Sequence, residues 1–227
     1  MAKLNGVHHL AISTKNMKEQ IAFFSDVMGM ELVALYFMHG AEGCWHGFMK
    51  LNDHCSLAFV FHPENEKAEP QIGVTHAGHG AGPSSPGTMQ HIGFNVNTKE
   101  ELLAMRDRIR SNGVNVIGPL DHGMCESMYF AGPENLVLEV AFSEQGINPA
   151  AWIDPEVVEL AGISAEELAR FKSPAPYAGP GNEKQPPYDP SKPHVTMPSE
   201  EKYRGALLAP DEVIWQMASH AEPPVKV

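Results

Sequence analysis

The segment His9-Leu-Ala-Ile-Ser-Thr-Lys-Asn-Met-Lys-Glu19 is repeated in outline 82 residues further on, as His91-Ile-Gly-Phe-Asn-Val-Asn-Thr-Lys-Glu-Glu101. Each copy begins with residues that alternate in polarity, which is typical of a half-buried strand. Each copy then places an Asn or Thr three residues before a Glu, the pattern that caps the start of a helix. The repeat therefore predicts two strand–helix units of the same kind.

Strand-like segments follow both predicted helices. Three are expected in each half of the repeat: Met30–His39, Cys44–Leu51 and Ser56–His62, then Val114–Gly118, Cys125–Ala131 and Leu136–Phe142. Each half is thus a β-α-β-β-β module, one at about residues 4–63 and the other at 88–143. A single module cannot bury its own sheet, so we predict an α+β fold in which the two modules pair.

The remainder of the chain differs in composition. A linker over residues 63–87 is rich in Gly, Pro and Ser and is predicted to be a loop. Its His76 and His79 are interpreted as solvated, with membership of a mobile lid as the alternative. Beyond residue 146 we expect short helices and an extended Pro-rich segment, so residues 1–146 are predicted to form the domain and 147–227 a C-terminal arm.

Composition excludes several classes of protein. The 227 residues include 16 Lys and Arg against 28 Asp and Glu, a formal net charge of −12, which argues against binding to nucleic acid. No apolar run approaches the roughly 18 residues of a membrane span, and the first residues do not resemble a signal peptide. Because the three cysteines are scattered, no disulfide framework is expected. These features predict a cytoplasmic protein with a small-molecule substrate.

Two histidines and one carboxylate are candidate metal ligands. Strand alternation places His9 and His91 at equivalent positions, on the side of each strand that faces away from the helix. Glu139 is the lone carboxylate in an apolar strand, where burial is costly unless a cation or partner is present. Together they match a 2-His-1-carboxylate metal site, whereas structural zinc favours closed, often Cys-rich sites. Hydrogen-bonded strand histidines remain the alternative.

Several motifs resemble a known family. GVHHLAIS at 6–13, MQHIGFNV at 89–96 and YFAGPENLVLEV at 129–140 look like the vicinal oxygen chelate superfamily. That superfamily includes glyoxalase I, fosfomycin-resistance proteins and extradiol ring-cleaving dioxygenases. The resemblance covers about residues 4–143 and implies that the two modules pair into a curved mixed-sheet cup. It also implies metal ligands at His9, His91 and Glu139.

Three further stretches are similar to ring-cleaving enzymes. The resemblance implies that Tyr129, in SMYFAGPENLVLE, hydrogen-bonds a substrate oxygen. It implies that His122, in IGPLDHG, helps to bind substrate and oxygen. In LNDHCSLAF the acid/base position falls on either His54 or Cys55, depending on the register of the strand. A packing tyrosine, a turn histidine and a hairpin histidine are the structural alternatives.

The resemblance implies a non-haem Fe(II) dioxygenase of the extradiol type, which would cleave a catechol-like aromatic with O2 in aromatic catabolism. Mn, Zn, Ni and Co are the alternative metals. The alternative function is a glyoxalase-like lyase, isomerase or epimerase that stabilises an enediolate or oxyanion, and a ligand-sequestering binding protein is a third possibility. Because the Pro-rich arm would gain most by wrapping a partner, we predict a homodimer. Pairing of the modules within one chain and exchange between two chains both remain open.

Overall fold

The computed structural model describes residues 4–181, 183–196 and 200–226. Residues Leu4–Ser164 form one compact unit, and the residues from Ala165 onward belong to a second. All of the candidate site residues lie in the first unit, so the fold is described mainly for that unit.

The first module consists of β1 (His9–Thr14), α1 (Met17–Ala22), β2 (Glu31–Phe37), β3 (Trp45–Asn52) and β4 (Cys55–Phe61). The side chain of Asn16 accepts a hydrogen bond from the Glu19 main chain, which is the predicted cap. The helix continues beyond α1 as a wider π-helical turn over Phe23–Val27. The strands form a sheet in the order β1-β4-β3-β2, in which β1 and β4 are parallel.

The second module repeats this arrangement with β5 (Ile92–Val96), α2 (Lys99–Ser111), β6 (Val116–Asp121), β7 (Glu126–Ala131) and β8 (Val137–Phe142). Thr98 caps α2 as predicted, since its side chain accepts a hydrogen bond from the Glu101 main chain. The sheet order is β5-β8-β7-β6, with β5 parallel to β8. The prediction of an α+β fold built from two β-α-β-β-β modules is confirmed.

A single apolar core lies between the helix-bearing faces of the two sheets. The ring of Phe24, next to α1, packs 5.2 Å from Phe59 of the first sheet and 6.3 Å from Phe94 of the second. Leu102 of α2 and Leu138 of β8 belong to the same buried cluster. Burial of these apolar side chains stabilises the association of the modules.

The predicted cup is not closed within one chain. The described strands form two separate four-stranded sheets. Most of the buried apolar residues of each sheet lie on its helix side, so hydrophobic burial brings those sides together. The two opposite faces, which carry His9 in one sheet and Glu139 in the other, are therefore turned away from the shared core. We call them the His9 face and the Glu139 face.

The remaining elements are short. Residues Pro63–Lys67 of the linker form a 3-10 turn, and α3 (Pro149–Trp152) and α4 (Pro155–Leu160) complete the first unit beyond residue 146. The second unit contains α5 (Ala165–Lys172), α6 (Glu200–Leu208) and α7 (Asp211–Ala218). Among the described ranges no helix is both long and apolar enough to cross a membrane.

Candidate active site

His91 and Glu139 meet on the Glu139 face of the second sheet. Residue Gly93 of β5 lies opposite Glu139 of β8, and a Cβ at this glycine would lie 3.3 Å from the carboxylate oxygen Oε2. His91 precedes β5, and its Nε2 lies 2.9 Å from Oε2 of Glu139. The Glu139 carboxylate is buried, with only 8% of the residue exposed. The lone charge in this strand therefore has an imidazole partner.

Tyr129 and His122 lie beside this pair. Tyr129 of β7 is directly opposite Glu139 in the antiparallel pairing with β8. Its hydroxyl oxygen lies 3.3 Å from Nε2 of His122, and its ring centroid lies 6.0 Å from that of His91. Of the six candidate residues, the structure therefore brings together four on one face: His91, His122, Tyr129 and Glu139.

The surroundings keep the phenol of Tyr129 protonated. Burial raises the pKa of Tyr129, and the neighbouring Glu139 carboxylate raises it further, while Ser127 acts in the opposite direction. Burial likewise raises the pKa of the Cys125 thiol, with contributions from the charges of Glu139 and Asp121. Near neutral pH the tyrosine is thus a hydrogen-bond donor, and the cysteine is a thiol rather than a reactive thiolate.

A cavity of about 620 Å³ adjoins Tyr129 and His122. The sheet contributes exposed apolar side chains to its wall, including Ile117 and Leu120. In the part of the chain that the structure describes, no lysine or arginine lines this cavity. A site with these walls favours a neutral, apolar ligand over an anion.

The linker forms another wall of the cavity, although its histidines were interpreted as solvated, with membership of a lid as the alternative. Residues 78–81 line the cavity. A Cβ placed on Gly80 would lie 3.1 Å from Cε1 of Tyr129, so the absence of a side chain allows the linker to lie against the tyrosine ring. The glycines of the THAGHGAG stretch were the available signal for such a close approach. His79, interpreted as a solvated loop residue, is one of the lining residues.

His9 lies on the other sheet. It pairs with Ser56 of β4 and is exposed, with its Nδ1 2.9 Å from Nδ1 of His8 and its ring 5.7 Å from that of Phe48. Burial lowers the pKa of nearby His46, and the proximity of His9 lowers it further. Within residues 4–181, 183–196 and 200–226, no three His, Cys, Asp or Glu side chains are grouped closely enough to hold a metal. One chain therefore presents His91 and Glu139 together, without His9.

His54 occupies the tip of the hairpin between β3 and β4. It is exposed, and its main-chain N–H donates to the side chain of Asn52, which pairs with Cys55 across the turn. By strand alternation Ser56 lies on the His9 face and Cys55 on the helix side. The acid/base role for His54 or Cys55 remains a prediction, and both residues are in the first module.

Comparison with known proteins identifies the family. Residues 6–140 match the family described as the Glyoxalase/Bleomycin resistance protein/Dioxygenase superfamily. The match spans more than half of the chain, and the protein belongs to this superfamily. The predicted vicinal oxygen chelate resemblance is thereby confirmed. The superfamily includes metal-dependent enzymes.

Several solved structures are similar to this chain. A glyoxylase/bleomycin resistance protein/dioxygenase domain from Frankia sp. EAN1pec is 12% identical, with 62% of this chain and 99% of that chain covered and a TM-score of 0.48. Lactoylglutathione lyase from Agrobacterium tumefaciens is 19% identical, with 62% and 95% covered and a TM-score of 0.44. The fosfomycin resistance protein FosX from Listeria monocytogenes, in complex with Mn(II) and sulfate, is 17% identical, with 62% and 94% covered and a TM-score of 0.42.

Proposed function

We propose that this protein is a dioxygenase of the extradiol type, which uses Fe(II) and O2 to cleave a catechol-like aromatic. The observation that carries the proposal is the position of Tyr129, which adjoins the His91–Glu139 pair, contacts His122 and lines an apolar cavity. This arrangement joins two metal-ligating groups, a hydrogen-bond donor and a proton carrier on one face of one sheet.

The proposed metal site takes His91 and Glu139 from one chain and His9 from a second copy. Two imidazoles and one carboxylate suit Fe(II) and other divalent first-row metals, and leave coordination positions open for substrate. The buried Glu139 fits this role, because a carboxylate inside an apolar strand is stabilised by a cation. Since His9 faces away from the core of its own chain, a homodimer that apposes the His9 face to the Glu139 face would complete the set.

The cavity supports an aromatic substrate without a permanent charge. Its wall contains Ile117 and Leu120, and the residues that line it in the described structure include no lysine or arginine to neutralise a phosphonate or carboxylate. A planar apolar ring gains from burial against such a surface. The two hydroxyls of a catechol would then point towards His91 and Glu139.

A divalent metal at this site supplies Lewis acidity that eases deprotonation of the catechol, together with an open position for dioxygen. His122 is placed to accept a catechol proton at Nε2 and to return it later. The protonated Tyr129 hydroxyl would donate a hydrogen bond to the oxygen that becomes a ketone. The linker beside Tyr129 would exclude water from the cavity. The described contacts favour His122 as the relay, because it lies beside Tyr129, whereas His54 is exposed at the tip of a hairpin in the first module.

Oxygen uptake tests the proposal. Protein purified anaerobically and loaded with Fe(II) is mixed with a panel of neutral catechols in an oxygen electrode. We expect oxygen consumption in proportion to a coloured ring-opened product, and its absence across the panel would overturn the proposal. Turnover that requires Mn, Zn, Ni or Co and is insensitive to oxygen would instead indicate the lyase, isomerase or epimerase alternative. Ligand binding that persists in a His9→Ala/Glu139→Ala variant, without any turnover, would indicate a binding protein.

A further inference from the structure

The side chain of Gln90 binds the linker that walls the cavity. Its Nε2 lies 3.2 Å from the carbonyl oxygen of His79, 3.0 Å from that of Gly80 and 3.2 Å from that of Gly82. Carbonyl oxygens only accept hydrogen bonds, so the NH2 end of the amide must face the linker. The two amide hydrogens are shared among three acceptors on one short segment, residues 79–82.

The orientation of this amide determines what its other end does. With the nitrogen towards the linker, the oxygen Oε1 of Gln90 is directed at Nδ1 of His91 and makes a hydrogen bond with it. Because an amide oxygen cannot donate, Nδ1 of His91 must carry the proton. With the proton on Nδ1, the nitrogen left to bind a metal is Nε2, the atom that lies beside Glu139. This is the tautomer that a metal ligand at Nε2 requires.

We infer that Gln90 is a positioning residue that ties the linker wall of the cavity to the metal ligand His91. The inference rests on the proposed metal site. One end of a single amide holds residues 79–82 against Tyr129, and the other end fixes the ring orientation and tautomer of His91. Groups that orient a metal-bound histidine contribute roughly 10–100-fold to metal affinity.

The two functions of the amide can be separated by substitution. Gln90→Ala removes both the donor and the acceptor. Gln90→Glu keeps an acceptor for His91 Nδ1, but presents a carboxylate to three carbonyl oxygens and releases the linker. Gln71→Ala is the matched control in the same linker, since the hydrogen bonds described for Gln71 are made by its main chain.

Three measurements on the full-length protein test the inference. Mn(II) affinity is measured by competition with a chelating dye, and amide hydrogen exchange at residues 79–82 is measured in metal-free protein. The tautomer of His91 is assigned from ¹⁵N shifts of histidine-labelled protein, using His91→Ala to identify its signals. For Gln90→Ala we expect Mn(II) affinity about 10–100-fold weaker, faster exchange in the linker and loss of the fixed tautomer. For Gln90→Glu we expect fast exchange with Mn(II) affinity restored.

The outcomes separate this inference from the proposed function. Unchanged linker exchange in Gln90→Ala overturns the inference, whether or not the wild type binds metal. Equal loss of Mn(II) affinity in Gln90→Glu and Gln90→Ala overturns the link to His91. If the wild-type protein binds no divalent metal while linker exchange still depends on Gln90, the proposed metal site is overturned. The role of Gln90 in orienting a metal ligand is then overturned as well, and only its contact with the linker stands.

Discussion

The carboxylate of Glu134 accepts a hydrogen bond of 2.6 Å from the hydroxyl of Thr14, which lies 120 residues earlier in the chain. It also accepts hydrogen bonds from the main chain of Lys15, at 2.8 Å, and from the side chain of Gln20, at 2.7 Å. Glu134 lies in the turn between β7 and β8 with a left-handed backbone, φ 54°. This one carboxylate therefore fastens the second module to the start of the helix in the first.

Replacing Glu134 with Ala is expected to destabilise the protein by about 1–3 kcal/mol, because the buried polar groups of Thr14 and Gln20 lose their acceptor. Urea denaturation followed by circular dichroism measures the change in free energy of unfolding. Glu144→Ala is the control, since Glu144 is exposed and about 0 kcal/mol is expected there. Equal unfolding midpoints for Glu134→Ala and the wild type would contradict the role assigned to this carboxylate.

The same carboxylate gives the stability a dependence on pH. Burial acts to raise the pKa of Glu134, but hydrogen bonds from Thr14, Gln20 and the main chain outweigh it, so the pKa lies below its usual value of 4.5. A carboxyl whose pKa is lower in the folded state contributes stability above its unfolded pKa, and that contribution is lost as the pH falls through the folded pKa.

We therefore expect the difference in free energy of unfolding between wild type and Glu134→Gln to be constant above about pH 5.5 and to shrink in acid. Comparing the two proteins removes the contribution of the other carboxyl groups. Urea titrations at several pH values provide the data. A difference that stays constant down to about pH 3 would show that Glu134 titrates alike in the folded and unfolded chains.

Arg108 provides a second connection between the modules. Its Nε donates to the carbonyl oxygen of Val27 at 2.8 Å, and its Nη2 donates to that of Asp26 at 2.9 Å. These carbonyls end the helix of the first module. Arg108→Ala is expected to cost about 1–2 kcal/mol in urea denaturation, and Arg108→Lys to recover only part of this, because an ammonium lacks the planar fork of guanidinium. If Arg108→Lys were as stable as the wild type, a positive charge alone would be sufficient to stabilise this helix end, and the role of the planar guanidinium would be contradicted.

The proposed shared metal site predicts complementation between two chains that each lack one ligand. His9→Ala and Glu139→Ala homodimers are each expected to lose tight metal binding. A heterodimer isolated through two different affinity tags would contain one intact site, with about one metal per dimer against two in the wild type. Elemental analysis gives the metal content. A heterodimer without metal would indicate a site built within one chain, and a monomer by light scattering would exclude the shared site altogether.

Tyr129→Phe tests the hydroxyl that faces His122. The ring and its packing against Gly80 remain, so stability and metal content should be unchanged. Under the proposed chemistry we expect kcat to fall by about 10²-fold with little change in KM, since the hydrogen bond acts on the reacting oxygen. Tyr177→Phe, which removes a hydroxyl that donates to Glu183 in the second unit, is the control. Steady-state oxygen uptake measures both parameters, and a fall confined to KM would instead indicate a role in binding.

The parts of the fold set by local rules were predictable from the sequence. Cap patterns at Asn16 and Thr98 marked the helix starts, and strand alternation placed His91 on the side of its strand that faces away from the helix. These rules operate over a few residues, and the repeat applied them twice. Gly93 pairs with Glu139, and His91 lies two residues before Gly93. The side chains of His91 and Glu139 are therefore on the same face of the sheet.

Long-range contacts were not predictable in the same way. Which faces of the two modules meet depends on how much apolar surface each face buries. Here the helix sides meet, so the cup is not closed within one chain. The contact between Glu134 and Thr14 joins residues that no local pattern connects. The binding of Gln90 to the linker uses main-chain carbonyls, which every residue possesses and which leave no signature in the sequence.

That anchorage on carbonyls has an evolutionary consequence. Gly80 is constrained by the Tyr129 ring, and Gly82 by the carbonyl oxygen of Ala77, which a Cβ would approach to 2.0 Å. His79 and Ala81 line the cavity, yet Gln90 binds only the backbone around them. Mutations at these two positions can reshape the cavity while the anchor and the proposed metal ligands stay intact. If the proposed function holds, the linker offers a route by which new substrate preferences could arise without change to the catalytic residues.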